Sequence, residues 1–187
     1  MLKIIALIVV AGLVILSIVI ALQPSVFAIE RTAEIQAPPA IIYLHIQSPR
    51  AMNEWSPFAK GDPKMTIVYD GPEAGVGAGS SWDSPQMGKG RMTVSDVKPN
   101  REVGLKLEFL SPLRATNRGL FTLAPDGEVT RVTWRMEGQN GFVQKAFGLF
   151  MNMDKMVGGE FEKGLASLKT VAEVEARTGD VGAAKAQ

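Results

Sequence analysis

The chain has 187 residues, with 20 Lys+Arg against 19 Asp+Glu, one histidine and no cysteine. Near-neutral charge gives no bulk electrostatic reason to expect nucleic acid as the partner. The missing cysteines exclude disulfides, thiolate catalysis and thiolate metal sites, and His45 alone excludes any site needing two histidines.

The first element is "IIALIVVAGLVILSIVIAL", residues 4–22, a run without a single charge. At 1.5 Å per residue a helix of this length reaches about 28 Å, close to the thickness of a bilayer's hydrocarbon core. The alternative is a cleaved secretory signal, with Lys3 as its n-region and Ala21 or Ala28 at the cleavage position. Signal h-regions are usually shorter than this run, and cleavage after Ala28 would cut into the next element, so an uncleaved anchor over residues 1–26 is the preferred reading. Lys3 points the N-terminus to the cytoplasm by the positive-inside rule. The expected location is therefore the inner (cytoplasmic) membrane, crossed once, with the domain on the extracytoplasmic, periplasmic side.

"FAIERTAEIQA" (27–37) alternates as a strand, with Phe27, Ile29, Ala33 and Ile35 on one face and Arg31 interrupting that face. Pro38-Pro39 suits a helix start, "AIIYLHIQ" continues it, and "RAMNEW" forms a second short helix ending at Ser56-Pro57. Six runs of strand length follow: "MTIVYDG", "GSSWDS", "GRMTVSDVKP", "EVGLKLEFLS", "RATNRGLFTLAP" and "VTRVTWRMEG". Their separators are short and rich in Gly, Pro, Asn and Asp, which predicts antiparallel neighbours in a meander. Val103, Leu105, Leu107 and Phe109 share one face, as do Val132, Trp134 and Met136, so the sheet has a dry side and a wet side. From Gly141 to Ala176 the apolar period becomes helical, with a possible kink at Gly158-Gly159. Residues 177–187 read as a disordered tail.

This order places a long helix against the dry side of a curved sheet. The stretches "ERTAEIQAPPAIIY", "NEWSPF", "GPEAGVGAGSSW", "TRVTWRMEG" and "FGLFMNMDKMVGGEFEKGLASLK" resemble the SRPBCC or START-like superfamily, which includes polyketide cyclases/dehydrases and birch-pollen-allergen-like proteins. The resemblance covers residues 27–172 or so, with the domain taken as 27–176. It implies a helix-grip α+β fold: a seven-stranded antiparallel sheet wrapped on a long C-terminal helix, with two short helices after the first strand. It also implies a hydrophobic cavity between sheet and helix, holding an apolar or amphipathic small molecule or a lipid.

Trp82, Asn117, Phe121, Trp134, Met136, Phe147, Phe150, Met153, Met156 and Glu160 are the candidates to line such a cavity. Methionine is flexible and polarizable, which suits a surface that adapts to its ligand, although the same helical spacing also describes an ordinary core face. Asn117 falls on the inward register of its strand, where its amide could orient a ligand or bond a buried water. Glu160 lands inside the apolar arc; a carboxylate there needs a partner, and Arg31 is the cation with matching register. No nucleophile elbow or metal-ligand cluster surrounds His45, so no catalytic or metal site and no cofactor is expected. "GVGAGS" (75–80) leads into a strand rather than a helix, which makes it a hairpin turn and not a phosphate loop. Arg114, Arg118, Arg131 and Arg135 are interleaved with glutamates, as on a solvated outer face. The expected function is membrane-anchored binding of a hydrophobic ligand, with a polyketide cyclase/dehydrase-type enzyme as the alternative and a protein-interaction module as a third class.

Overall fold

A computed structural model describes residues 2–185 of the chain, with side chains through residue 179. Helix α1 (Leu2–Ala21) is followed by strand β1 (Val26–Ile35) and three short helices, α2 (Pro39–Ile46), α3 (Pro49–Trp55) and α4 (Pro57–Lys60). Each of the three has proline at its start, where the missing N–H costs no intrahelical bond. Six strands come next: β2 (Thr66–Asp70), β3 (Gly79–Ser84), β4 (Gly88–Lys98), β5 (Glu102–Ser111), β6 (Ala115–Asp126) and β7 (Val129–Gln139). Helices α5 (Phe142–Gly148) and α6 (Met153–Lys185) end the chain.

All seven strands form one antiparallel sheet in the order β1-β7-β6-β5-β4-β3-β2. The meander is the direct result of the short Gly/Pro/Asn links, and "GVGAGS" lies in the β2–β3 connection and the first residues of β3. β1 pairs with β7 across ten residues, from Val26 opposite Gln139 to Ile35 opposite Thr130. That pairing brings the first strand to the edge where α6 crosses. This is the helix-grip α+β architecture.

The alternation of the strands decides which side α6 covers. Ile29, Ile35, Val103, Leu105, Phe121, Leu123, Val132, Trp134 and Met136 are buried on the concave face, and Arg118, Arg131 and Arg135 fall on the convex face. There Arg131 meets Glu34 at 3.1 Å and Arg135 meets Glu30 at 3.4 Å and Glu137 at 3.2 Å, while Arg118 lies 4.0 Å from Glu137. The convex face neutralises itself, as the interleaved charges predicted.

α6 buries a stripe of Phe161, Leu165, Leu168 and Ala172, recurring every three or four residues. Gly158 and Gly164 lie on the same stripe because the helix passes very close to its neighbours there. A Cβ at Gly158 would overlap the Arg31 guanidinium, and one at Gly164 would press on Trp134 at 2.7 Å.

Two features of the C-terminal helix differ from the sequence reading. It is broken at residues 149–152 rather than kinked at Gly158-Gly159, because Asn152 Oδ1 accepts from Lys155 N at 3.0 Å and so caps a new helix. It also continues past Ala176 to Lys185, through a stretch whose alanines favour helix; residues 186–187 lie outside the described residues.

No residue of α1 belongs to the core cluster, which begins at Ile29. The domain therefore builds its interior without the N-terminal helix. α1 is long and apolar enough to cross a membrane, and of its described residues only Ile20 is buried.

A candidate ligand-binding face on the concave side of the sheet

The middle of the concave face is filled. Trp134 stacks on Phe161 at 4.1 Å and on Phe121 at 4.9 Å, while Trp55 meets Trp134 edge-on at 5.6 Å. Phe58 packs edge-on against Trp134 at 6.2 Å and Phe161 at 6.3 Å. Trp55 Nε1 donates to the carbonyl of His45 at 3.1 Å, which satisfies its one polar atom. Phe121 and Trp134, both candidates for lining a cavity, are thus members of a packed aromatic core.

Between this core and the start of β1 the face changes. The strand register aligns two rows across the sheet. One runs Phe27, Gly138, Asn117, Leu107, Met92, Ser80 and Tyr69. The next runs Ala115, Phe109, Gly90, Trp82 and Ile67. Phe27, Leu107, Phe109 and Trp82 are only half-buried, and Trp82 packs edge-on against Phe109 at 5.7 Å. This part of the concave face is apolar and incompletely covered.

Asn117 is its polar centre. The side chain lies across Gly138, where any Cβ would collide with the amide. Its Nδ2 donates only to the thioether of Met136, at 3.9 Å, and its Oδ1 is buried without a hydrogen-bond partner. The residue is 8% exposed. A buried amide oxygen left unpaired costs on the order of 1–3 kcal/mol, so it marks a position that a ligand donor could satisfy. Asn117 and Met136 are therefore adjacent, with Trp82 on the neighbouring row.

The methionine helix is arranged differently. Phe147, Phe150, Met153 and Met156 all face outward, and Phe150 is 83% exposed. The break at residues 149–152 takes α5 out of phase with α6, so the apolar arc drawn on one continuous wheel does not exist. Glu160 is half-buried and pairs with Lys163 at 2.7 Å. Arg31 serves two other carboxylates: its Nη1 meets Asp154 Oδ1 at 3.0 Å and its Nε meets Glu162 Oε1 at 2.7 Å. These bonds hold the Asp154 carboxyl below the usual aspartate range and Arg31 above its own.

Two further features escaped the sequence. His45 Nε2 lies 2.8 Å from Glu175 Oε2, joining α2 to α6. A polar cleft of about 370 Å³ opens beside β2, lined by Pro49, Arg50, Tyr69, Asp70 and Glu73 among others. In it Arg50 sits over the Tyr69 ring at 4.2 Å, and Asn53 Nδ2 donates to the Tyr69 hydroxyl at 3.1 Å. Neither has a local motif, since each joins residues from separate elements. Among the described residues no cluster of three metal-ligating side chains occurs.

Residues 26–173 match the model of the family described as polyketide cyclase/dehydrase and lipid transport. The chain belongs to that family. Its fold recurs in protein CV1439 from Chromobacterium violaceum, at 17% identity and TM-score 0.57, covering 81% of this chain and 99% of that one. Ara h 8.0201 is similar at 12% identity and TM-score 0.53, covering 78% and 99%. So is the di-domain ARO/CYC StfQ from the steffimycin biosynthetic pathway, at 14% identity and TM-score 0.58, covering 81% of this chain and 52% of StfQ. At such identities the likeness shows the shared fold alone. No curated protein matches the sequence.

Proposed function

We propose that this family member is a membrane-tethered binder of a hydrophobic or amphipathic small molecule, with a lipid as the preferred class. The observation that carries this reading is the buried, unpaired Oδ1 of Asn117 on an apolar, half-covered part of the concave face. A ligand seated there would bury apolar surface against Phe27, Leu107, Phe109 and Trp82, gaining about 25 cal/mol per Å² removed from water. A hydroxyl or amide donor on the ligand would reach Asn117 and fix its orientation. Met136 borders the amide, Met92 lies two strands away on the same row, and both can adjust to different ligand shapes.

The family's description also covers cyclase and dehydrase chemistry. Such an enzyme needs a group that gives or takes a proton within reach of its substrate. The row around Asn117 offers an amide, Ser80 and Tyr69, while Glu160 and Asp154 are engaged in ion pairs at the flank of α6. Binding without turnover is therefore the favoured reading. α1 is taken as an uncleaved anchor that holds the domain at the extracytoplasmic surface of the inner membrane.

The test uses residues 24–187, which contain the whole core cluster. The protein is expressed in bacteria, purified without detergent and extracted into organic solvent for mass spectrometry. One lipid class near one molecule per protein is the expected result, with loss of most of that ligand in Asn117→Leu. An empty wild-type protein that also fails to bind a fluorescent fatty-acid probe would end this reading.

A further inference from the structure

The apolar surface that the core does not use is concentrated at one end of the domain. Phe142, Phe147, Phe150 and Met151 are exposed on α5 and the 149–152 elbow, and Leu110 and Leu113 are exposed at the β5–β6 turn. Strand pairing brings the two groups to the same end, because Val26 lies opposite Gln139 and Phe109 opposite Ala115. Exposed aromatic and aliphatic side chains gathered in this way mark an interaction surface rather than ordinary scatter.

The position of α1 says what that surface meets. α1 ends at Ala21 and β1 starts at Val26, so four residues, Leu22–Ser25, join them. Four residues span about 14 Å at most. The join is also tied to the root of α5: Asn140 N donates to the Ser25 carbonyl at 2.8 Å, and Lys145 Nζ donates to the Ala21 carbonyl at 3.2 Å. The polar layer on each side of a bilayer is roughly 5–8 Å deep. A domain end held this close to the end of a spanning helix has its α5 side chains at the headgroup layer. Arg114 and Lys155 are exposed beside the apolar residues, and cations so placed favour anionic headgroups.

We infer that α5, the 149–152 elbow and the β5–β6 turn form a second membrane contact, seated at the headgroup–acyl boundary of the leaflet in which α1 ends. Its occupant is bilayer lipid. The inference rests on the reading of α1 as a membrane anchor and adds that the domain lies on the bilayer instead of standing off it. The half-covered row around Asn117 then opens toward lipid.

The absence of native cysteine makes the test direct. Single variants Phe150→Cys, Leu113→Cys, Val174→Cys and Leu13→Cys of the full chain are labelled with an environment-sensitive fluorophore. They are reconstituted in vesicles of phosphatidylcholine and phosphatidylglycerol carrying acyl-chain quenchers. Labels at 150 and 113 are expected to be quenched several-fold more than the label at 174, which lies beyond the far end of the sheet. Equal, water-like emission at 150, 113 and 174 would overturn the inference, as would blue-shifted emission at 150 without lipid quenching, since a second protein copy would then cover the elbow. The label at 13 separates the two readings: no quenching there removes the anchor itself, whereas quenching at 13 alone removes only the second contact.

Discussion

At the Ile35 end of the concave face, Ile35, Ile42, Ile46, Leu165 and Leu168 are fully buried and the nearby polar groups are all engaged: Thr130 Oγ1 donates to the Ala37 carbonyl at 2.8 Å, and Gln36 N to Glu173 at 2.9 Å. At the Val26 end, Leu107, Phe109 and Trp82 stay half-exposed, and Asn117 keeps an amide oxygen without a partner. The same sheet and helix build both ends. One is packed as a core that stabilises the fold, and the other leaves apolar surface half-covered and a buried amide oxygen unpaired. The aromatic cluster around Trp134 stands between the two.

Removing that divider should have the largest effect. Trp134→Ala empties the centre of a stacked cluster, and comparable aromatic truncations cost about 3–5 kcal/mol. For a domain whose whole stability is on the order of 5–15 kcal/mol, chemical denaturation should show a large fall in midpoint. A loss under about 1 kcal/mol would mean the cluster is not the structural centre.

A matched pair tests the two ends directly. Leu168→Ala, at the packed end, is expected to cost about 2–5 kcal/mol. Leu107→Ala, on the half-covered row, should cost less than about 2 kcal/mol because part of its surface is already in water. Equal losses measured in urea would erase the distinction between the ends.

Asn117→Leu should move stability the other way. An apolar side chain of similar size removes an unpaired buried acceptor, so the ligand-free domain is expected to gain up to about 1–3 kcal/mol. A destabilised variant would show that Asn117 is satisfied in solution and structural, with no need of a ligand.

How much of this was legible in the sequence follows from what each feature depends on. The strands were readable because alternation and turn residues are local; "EVGLKLEFLS" coincides with β5 at both ends. The inward register of Asn117 was readable for the same reason. The exposure of Phe147 and Phe150 was not, because it depends on the break at residues 149–152, where Asn152 caps a new helix, and that of Met153 and Met156 was not, because they lie off the narrow stripe of Phe161, Leu165 and Leu168 that α6 buries. Nor could spacing tell that Arg31 would choose Asp154 and Glu162 over Glu160, since partners more than a hundred residues apart are set by how α6 sits on β1.

Acid should loosen the periphery of both ends. Arg31 holds Asp154 below the ordinary aspartate value, Arg91 does the same for Asp70, and the Ser84 hydroxyl and the Lys64 amide do so for Asp62. With folded values depressed, the unfolded chain binds protons first as the pH drops through about 4. The stability these groups contribute is therefore complete near neutrality and is lost as pH falls through their folded values. Thermal melts of residues 24–187 should decline below about pH 4, and Asp154→Asn should flatten part of that decline.

The smallest expected effect on stability is Phe150→Ser, and it bears on the comparison most sharply. Phe150 is 83% exposed, so the soluble domain should change by no more than about 0.5 kcal/mol. The residue was conspicuous in the sequence as part of an apolar helix, whereas the large hydrophobics exposed at the packed end, Leu44 and Val174, are aliphatic and less exposed. If the Val26 end serves ligand exchange at a bilayer, Phe150→Ser should slow transfer of a fluorescent lipid from vesicles to the domain while leaving its equilibrium binding intact. A slowed rate with unchanged affinity would separate access at the elbow from the binding proposed for the row around Asn117. Unchanged transfer would mean that the exposed ring has no part in exchange and that the two ends differ only in packing.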